Sequence, residues 1–379
     1  MAYEGVQPSR LGLDATGAAG NEDLFLKVFS GEVLTTFEEN NVMMPLHRVR
    51  TISSGKTAQF PVTGVASAVY HTPGHSIFSD EAEATNTYAS NINHSEKIIS
   101  IDGVLTSSAF IADIDEAKNH YEVRSIYSTE IGRQLAYHAD KAIIRTILGG
   151  SMAKTDRFGN AETTVAGQEA NKYLGGRICI DGTASGDGAN NESSSQALYD
   201  TTVATDAGHG QDLYNGIFHA ANLMDQKNVP TEGRYCLLPP DGYYQLLTQQ
   251  LDAINRDFNP NANGSVAAGD IVSVAGVRIL KSNHVPQGDE SGGSADATLG
   301  SSLINNDLFG ADSGYSSQDF STIQGCVFQT EGVGTVKLLD LAMESEYYME
   351  RLGTMLLAKY AMGHGILREE ACYALVDNT

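Results

Sequence analysis

Residues 113–150 read DIDEAKNHYEVRSIYSTEIGRQLAYHADKAIIRTILGG, and no proline interrupts them. Ile114, Ala117, Tyr121, Ile131, Leu135, Ala139, Ala142 and Ile143 trace most of one helical face, with Arg124 and Ser128 interrupting it. Asp115 is placed to cap the start, and Gly149-Gly150 to stop the helix. At 1.5 Å per residue, a helix from Glu116 to Leu148 spans roughly 50 Å. A helix of that length without sustained heptads reads as a spine bridging a flat or elongated domain.

The flanks of this element define the rest of the organisation. Residues 1–22 are rich in Gly, Ala and polar residues and read as a flexible arm. Leu24, Phe25, Val28, Phe29, Val33, Leu34 and Phe37 then fall near helical spacing, with Asn21 or Asp23 as cap and a bend at Gly31. The apolar face of this short helix needs a partner in this chain or in a neighbour. Residues 48–70 alternate like two strands around a turn at Ser53-Ser54-Gly55-Lys56. A polar stretch, HTPGHSIFSDEAEATNTYASNINHSE, follows before strand character resumes at NHSEKIISIDG. Two strand-like arms thus flank a long polar tip, and a hairpin so poor in apolar residues must lie on something else.

Beyond the spine, residues 150–205 read as loops with a short strand at RICI. Residues 206–282 read as an α/β unit: a helix at LYNGIFHAANLMDQKNV, a buried strand at RYCLLPP, a helix at DGYYQLLTQQL and a strand at AGVRILKS. Residues 286–325 are rich in Gly, Ser and Asp, as a surface insertion would be, and the chain returns to strands from Gly325. No internal repeat is evident.

The 379 residues suffice for two or three domains or one large multi-part fold. The formal charge of −23 and the lack of a Lys/Arg-rich run argue against sequence-specific DNA binding, which draws its affinity from phosphate neutralisation. The same charge opposes packing like subunits together, so any assembly must offset it with buried apolar area. Cys179, Cys236, Cys326 and Cys372 are scattered, without a C-x-x-C, and signal neither zinc nor a disulfide framework. The first twenty residues show no basic-then-apolar leader, and no apolar run approaches the roughly 20 residues that span a bilayer, so no membrane partner is expected.

Candidate chemistry is sparse. SSGKTAQFPV (53–62) holds the Gly-Lys-Thr of a phosphate-binding loop, but Arg50 stands where the first glycine is required, and β-formers rather than a helix follow. Lys56 then reads as a turn residue. His71 and His75 have the spacing of helical metal ligands, but Pro73-Gly74 between them precludes the helix. Asp113 and Asp115 read as helix caps rather than an acid–base pair. His364 lies near Arg368, Glu369 and Glu370 but has no nucleophile beside it, and Cys372 falls in a strand-like tail. Asn191-Glu-Ser193 and Asn263-Gly-Ser265 match a glycosylation pattern that a chain without a secretory leader does not use. No catalytic, cofactor-binding or metal-binding residues are assigned.

Six blocks carry a family resemblance: LFLKVFSGEVLTTF (24–37), RTISSGKTAQFPVTG (50–64), SEKIISIDGVLT (95–106), NHYEVRSIYS (119–128), VGTVKLLDLA (333–342) and AKYAMGHGILREEA (358–371). In this order they resemble the major capsid proteins of tailed phages, which share the HK-97 fold, and more closely those of the short-tailed podoviruses of the coliphage T-seven group. Segments 151–205 and 286–325 are expanded relative to that pattern. The resemblance implies an α+β HK-97-type phage capsid fold: an N-terminal arm (1–60), an extended β-hairpin loop (61–100), a peripheral domain with the spine helix (101–205), an α/β axial domain (206–330) and peripheral C-terminal strands (331–379).

It also implies a major capsid protein that self-assembles as hexamers and pentamers into an icosahedral shell, T=7 if it follows its relatives. That shell encloses phage double-stranded DNA without sequence-specific binding. Assembly in the host cytoplasm with a scaffolding protein, docking to a portal protein at one vertex, and expansion as DNA is packaged are implied as well. The alternatives are an encapsulin-like nanocompartment shell of the same fold and a soluble hydrolase using His364 or Lys56.

Overall fold

The computed structural model describes residues 40–64, 94–114, 124–153, 174–180, 209–249, 273–290 and 319–376, with scattered residues before and between them. Three sheets organise the described chain. The first has the order β1-β10-β11-β4, built from β1 (Arg48–Thr51), β4 (Leu105–Ala112), β10 (Val333–Tyr348) and β11 (Gly353–Ile366). The second has the order β5-β12-β9-β6-β8-β7, from β5 (Gly176–Cys179), β6 (Arg234–Leu238), β7 (Ser273–Val274), β8 (Val277–Lys281), β9 (Ile323–Gln329) and β12 (Cys372–Val376). The third is a two-stranded ribbon of β2 (Thr57–Thr63) and β3 (His94–Ser100). The helices are α1 (Arg124–Ser151), α2 (His209–Gln226) and α3 (Pro240–Gln249).

The spine is α1, and it joins two cores. Ile131, Leu135, Ala136 and Ala139 pack with Ile111, Leu356 and Tyr360 of the four-stranded sheet. One to two turns on, Ile143, Ile144, Ile147 and Leu148 pack with Cys326, Phe328, Cys372 and Ala374 of the six-stranded sheet. Burial of each such Leu or Ile contributes about 1.5–3 kcal/mol, so the helix fixes the two sheets to one another. Ser128, which interrupts the apolar face, is buried because its hydroxyl donates to the Ser125 carbonyl oxygen at 2.8 Å.

The structure bears on three details of the sequence reading of this helix. The helix is described from Arg124, and the expected cap Asp115 lies outside the described residues along with Ala117 and Tyr121. Ile114 is 62% exposed and takes no part in the buried face. Gly149-Gly150 does not stop the helix, which runs on to Ser151. A Cβ on Gly150 would sit 3.1 Å from the Cys372 sulfur, so this glycine serves close approach of β12.

The strands at residues 48–51 and 57–63 are present, but they do not pair with each other. β1 runs parallel to β10, with Arg50 opposite Val336, and β2 pairs antiparallel with β3 from Thr57↔Ser100 to Thr63↔His94. The turn between them is at Gly55, whose φ of +114° is open to glycine. The base of the hairpin has a core within its own chain: Ala58, Phe60, Ile99 and Ile101 pack on Val336, Ala361 and Leu367. The apolar face of the residue 24–37 segment likewise finds its partner in this chain where it is described. Val33 and Phe37 are buried in the α1 core, and the Phe37 ring meets Tyr360 edge-on at 6.2 Å.

The α/β unit takes its predicted form, with Leu213, Ile217, Ala220 and Met224 of α2 packed on Cys236, Tyr373 and Leu375. Its sheet nevertheless draws β5 from the 101–205 segment and β12 from the 331–379 segment. The all-buried run CYALV of β12 lies between β5 and β9, which is where a strand covered on both faces belongs. Among the described residues no helix is long and apolar enough to cross a membrane.

Candidate assembly surfaces

The residues singled out for chemistry are held in structural roles or stand apart. Lys56 is exposed on the turn before β2, and no helix follows to form a phosphate loop. His71 is exposed, and His75, Asn191 and Asn263 lie outside the described residues. Asp113 accepts a hydrogen bond from the Tyr347 hydroxyl at 2.7 Å, tying the end of β4 to the far end of β10. Among the described residues no group of three His, Cys, Asp or Glu side chains could hold a metal ion.

His364 is buried in β11, with Nδ1 2.8 Å from the Thr335 hydroxyl, which in turn lies 2.5 Å from His47 Nε2. Burial, followed by His47 and Lys337 nearby, pushes its pKa down to about 3. The ring is therefore neutral at pH 7. Glu369 and Glu370 do not serve it: Glu369 pairs with Lys97 at 2.6 Å, and Glu370 with Arg368 at 2.8 Å. The thiols of Cys236, Cys326 and Cys372 are buried and their pKa values are raised by that burial, Cys326 to about 12, so none is a thiolate at neutral pH.

Two polar junctions were not foreseen from the sequence. Asp140, fully buried on α1, accepts from the backbone N–H of Val42 at 3.0 Å and of Met43 at 3.1 Å, and its Oδ2 lies 3.0 Å from His284 Nδ1. One carboxylate thus joins the spine, the end of the arm and the segment after β8. Five residues on, buried Arg145 pairs with Glu290. The second junction is Asp102, which accepts from the Tyr315 hydroxyl at 2.6 Å and the Asn305 N–H at 2.8 Å, fastening the 286–325 segment to the four-stranded sheet. Burial outweighs these bonds and raises its pKa to about 6. The only sequence signal was an acid on an otherwise apolar arc, as at Asp140 beside Ala139 and Ile143.

Some of the exposed residues are apolar and grouped. Tyr347 and Tyr348 are each 39% exposed, Met349 80% and Leu352 65%, all at the far end of the β10–β11 hairpin, where Ile114 also stands. Val69 and Tyr70 stand out beyond β2, Val104 and Leu303 lie together at the mouth of a cavity of about 180 Å³, and Phe218 and Tyr244 protrude from α2 and α3. Grouped exposed apolar residues on a folded subunit mark contact surfaces. A catalytic constellation is absent among the described residues, whereas exposed apolar groups occur at several separated places.

A long helix joining two sheets, a hairpin carried on the first sheet and an α/β layer built around the second define an HK-97-type capsid subunit. Residues 59–376 match the family described as Gp10A-like, major capsid protein. The major capsid protein of Escherichia phage T7 is 33% identical over 367 residues, covering 95% of this chain and 93% of the relative. That of Enterobacteria phage T3 is 31% identical over 371 residues, with coverage of 95% and 93%. The solved capsid structure of cyanophage P-SCSP1u superimposes with a TM-score of 0.66 at 36% identity, covering 99% of each chain. The chain belongs to the Gp10A-like major capsid protein family. It is a shell-forming capsid protein of the phage virion.

Proposed function

We propose that copies of this chain assemble as hexamers and pentamers into a T=7 icosahedral shell that encloses double-stranded DNA. Assembly takes place in the host cytoplasm with a scaffolding protein, and the shell docks to a portal protein at one vertex. In this reading the six-stranded sheet with α2 and α3 is the axial layer around the hexamer and pentamer centres. The four-stranded sheet is the peripheral layer, and the β2–β3 ribbon is the root of the extended loop. The subunit catalyses nothing. Its relatives are structural capsid proteins.

The observation that carries the reading is the match to these capsid proteins over almost the whole chain, together with apolar residues exposed at several separate ends of one subunit. A dimer needs one such surface, whereas a closed shell needs several. The test is co-expression with the scaffolding protein of the same phage, followed by sedimentation and electron microscopy. Closed shells with pentameric vertices are expected. A subunit that stays monomeric or dimeric under these conditions refutes the proposal, as do shells that hold an enzyme cargo rather than DNA in infected cells.

A further inference from the structure

β1 stands at the edge of the four-stranded sheet, and all four of its residues, Arg48, Val49, Arg50 and Thr51, are exposed. The guanidinium carbons of Arg48 and Arg50 lie 5.9 and 5.6 Å from the centre of the Phe60 ring, which holds both side chains over one platform. Arg50 donates one hydrogen bond to the Gln59 carbonyl oxygen. Neither arginine, nor the exposed Lys56 on the following turn, forms an ion pair among the described residues, although Lys97, Arg133, Arg145, Arg234, Lys337, Lys359 and Arg368 all do. On a chain of net charge −23 this is an unneutralised cationic edge, with Val49 exposed on the opposite face of the same strand.

The far end of the β10–β11 hairpin is its complement. Glu346 and Glu350 are exposed and form no ion pair among the described residues, whereas Glu344 is neutralised by Lys359 and Asp340 by Lys337. Arg351 is the cation on this turn. The acids flank the exposed Tyr347, Tyr348, Met349 and Leu352. A strand edge with two arginines on one face and an exposed valine on the other thus matches anions and tyrosine rings around an apolar tip at the second site.

The two sites cannot meet within one subunit. Arg50 is opposite Val336, and Glu346 lies ten residues further along β10. At about 3.3 Å per residue this places the sites roughly 30 Å apart at opposite ends of one sheet. Contact between two basic edges, or between two acidic tips, would bring like charges together. The remaining arrangement is head to tail, and a heterologous contact that closes on itself generates rings rather than isolated dimers.

We infer that the β1 edge of one copy, through Arg48, Val49 and Arg50, binds the Glu346–Leu352 hairpin end of a second copy, as a charge-matched link between neighbours in the shell. The inference rests on the proposed shell function but names surfaces that the function does not.

Two experiments test it. Arg48→Glu/Arg50→Glu, and separately Glu346→Arg/Glu350→Arg, should each lower the yield of shells about tenfold or more, because each leaves like charges opposed at every such link. The combination of all four should restore shells. Circular dichroism of each free subunit identifies a variant that has merely lost its fold. Independently of charge, Val49→Cys with Met349→Cys in one chain should give a ladder of disulfide-linked multimers on oxidation, since the two positions are too far apart to join within a subunit.

The ladder is read on concentrated free subunits as well as on shells, so the contact is judged even if the unmodified chain makes no shells and the proposed function fails. Shells from either single-site reversal at normal yield, no rescue by the combination, or no ladder would each overturn the contact. So would normal shells of Arg48→Glu/Arg50→Glu that have lost only their DNA, which would place nucleic acid on β1.

Discussion

Removal of the Asp140 carboxylate is expected to detach the arm from the spine at a predictable cost. In Asp140→Ala, the buried Met43 N–H loses its acceptor, which costs about 1–3 kcal/mol for a buried donor left unmade. The Val42 N–H and His284 Nδ1 are only partly buried, so water can replace part of the loss, and each adds about 1 kcal/mol, near the lower end of that range. The sum is about 3–5 kcal/mol, a large share of the roughly 5–15 kcal/mol that holds a typical domain folded. Asp140→Asn keeps one acceptor oxygen, which serves either backbone donor but not both, and should lose about half as much. Equilibrium urea unfolding of the purified free subunit measures both, with the midpoint falling at constant slope. A loss below about 1 kcal/mol in Asp140→Ala would refute the claim that this carboxylate secures residues 42–43 and 284.

Ala139→Pro, at a fully buried position in the middle of α1, should abolish shells by removing a backbone hydrogen bond and clashing with the preceding turn, at about 3 kcal/mol or more; normal shells would contradict the continuous spine. Deletion of residues 72–90 should leave a folded subunit, because β2–β3 pairing and the packing of Ala58, Phe60 and Ile99 lie outside the cut, yet that subunit should not assemble; loss of the subunit's own unfolding transition would show that the loop belongs to its core.

Acidification should first destabilise the subunit between about pH 7 and pH 6, where the unfolded histidines begin to take up protons. His364, lowered to about 3 by burial, stays neutral in the fold while the unfolded imidazole takes up a proton below its ordinary 6.5, and His47 is lowered by burial in the same direction. His364 therefore removes up to about 1.4 kcal/mol per pH unit as pH falls from 6.5 towards 3, and His47 acts in the same direction. Asp102, raised to about 6, is protonated first in the fold and so adds stability as pH falls from about 6 towards 3.8, and Glu369, also raised by burial, acts in the same direction, so the two carboxylates oppose the histidines below about pH 6. A urea midpoint that rises between about pH 7 and pH 6, before Asp102 protonates in the fold, would count against this balance. Free subunits should show no measurable binding to duplex DNA near physiological salt, since Arg48, Arg50 and Lys56 neutralise few phosphates on a chain of charge −23; micromolar, salt-sensitive binding in a fluorescence titration would refute it.

Much of this subunit was written locally. The 3.6-residue spacing of Ile131, Leu135, Ala139 and Ile143 sets the buried face of the spine, and the runs RYCLL and CYALV set buried strands, because period and apolar content are properties of neighbours in sequence. The family resemblance was legible for a different reason: its six blocks span both ends of the chain in a fixed order. Pairing was not legible. Residues 48–51 and 57–63 read as two strands around a turn, but nothing local says that β1 joins β10, almost three hundred residues away, or that β12 closes the sheet of the α/β unit. Gly150 looked like a stop because a glycine past an apolar face has two uses, and only the approach of Cys372 selects between them. The same holds for Asp140, Asp102 and His364, whose partners come from remote segments. Side-chain periodicity is fixed by covalent geometry, whereas strand partners, buried carboxylates and exposed apolar ends are fixed by which distant surfaces exclude water from one another, and only the tertiary structure decides that.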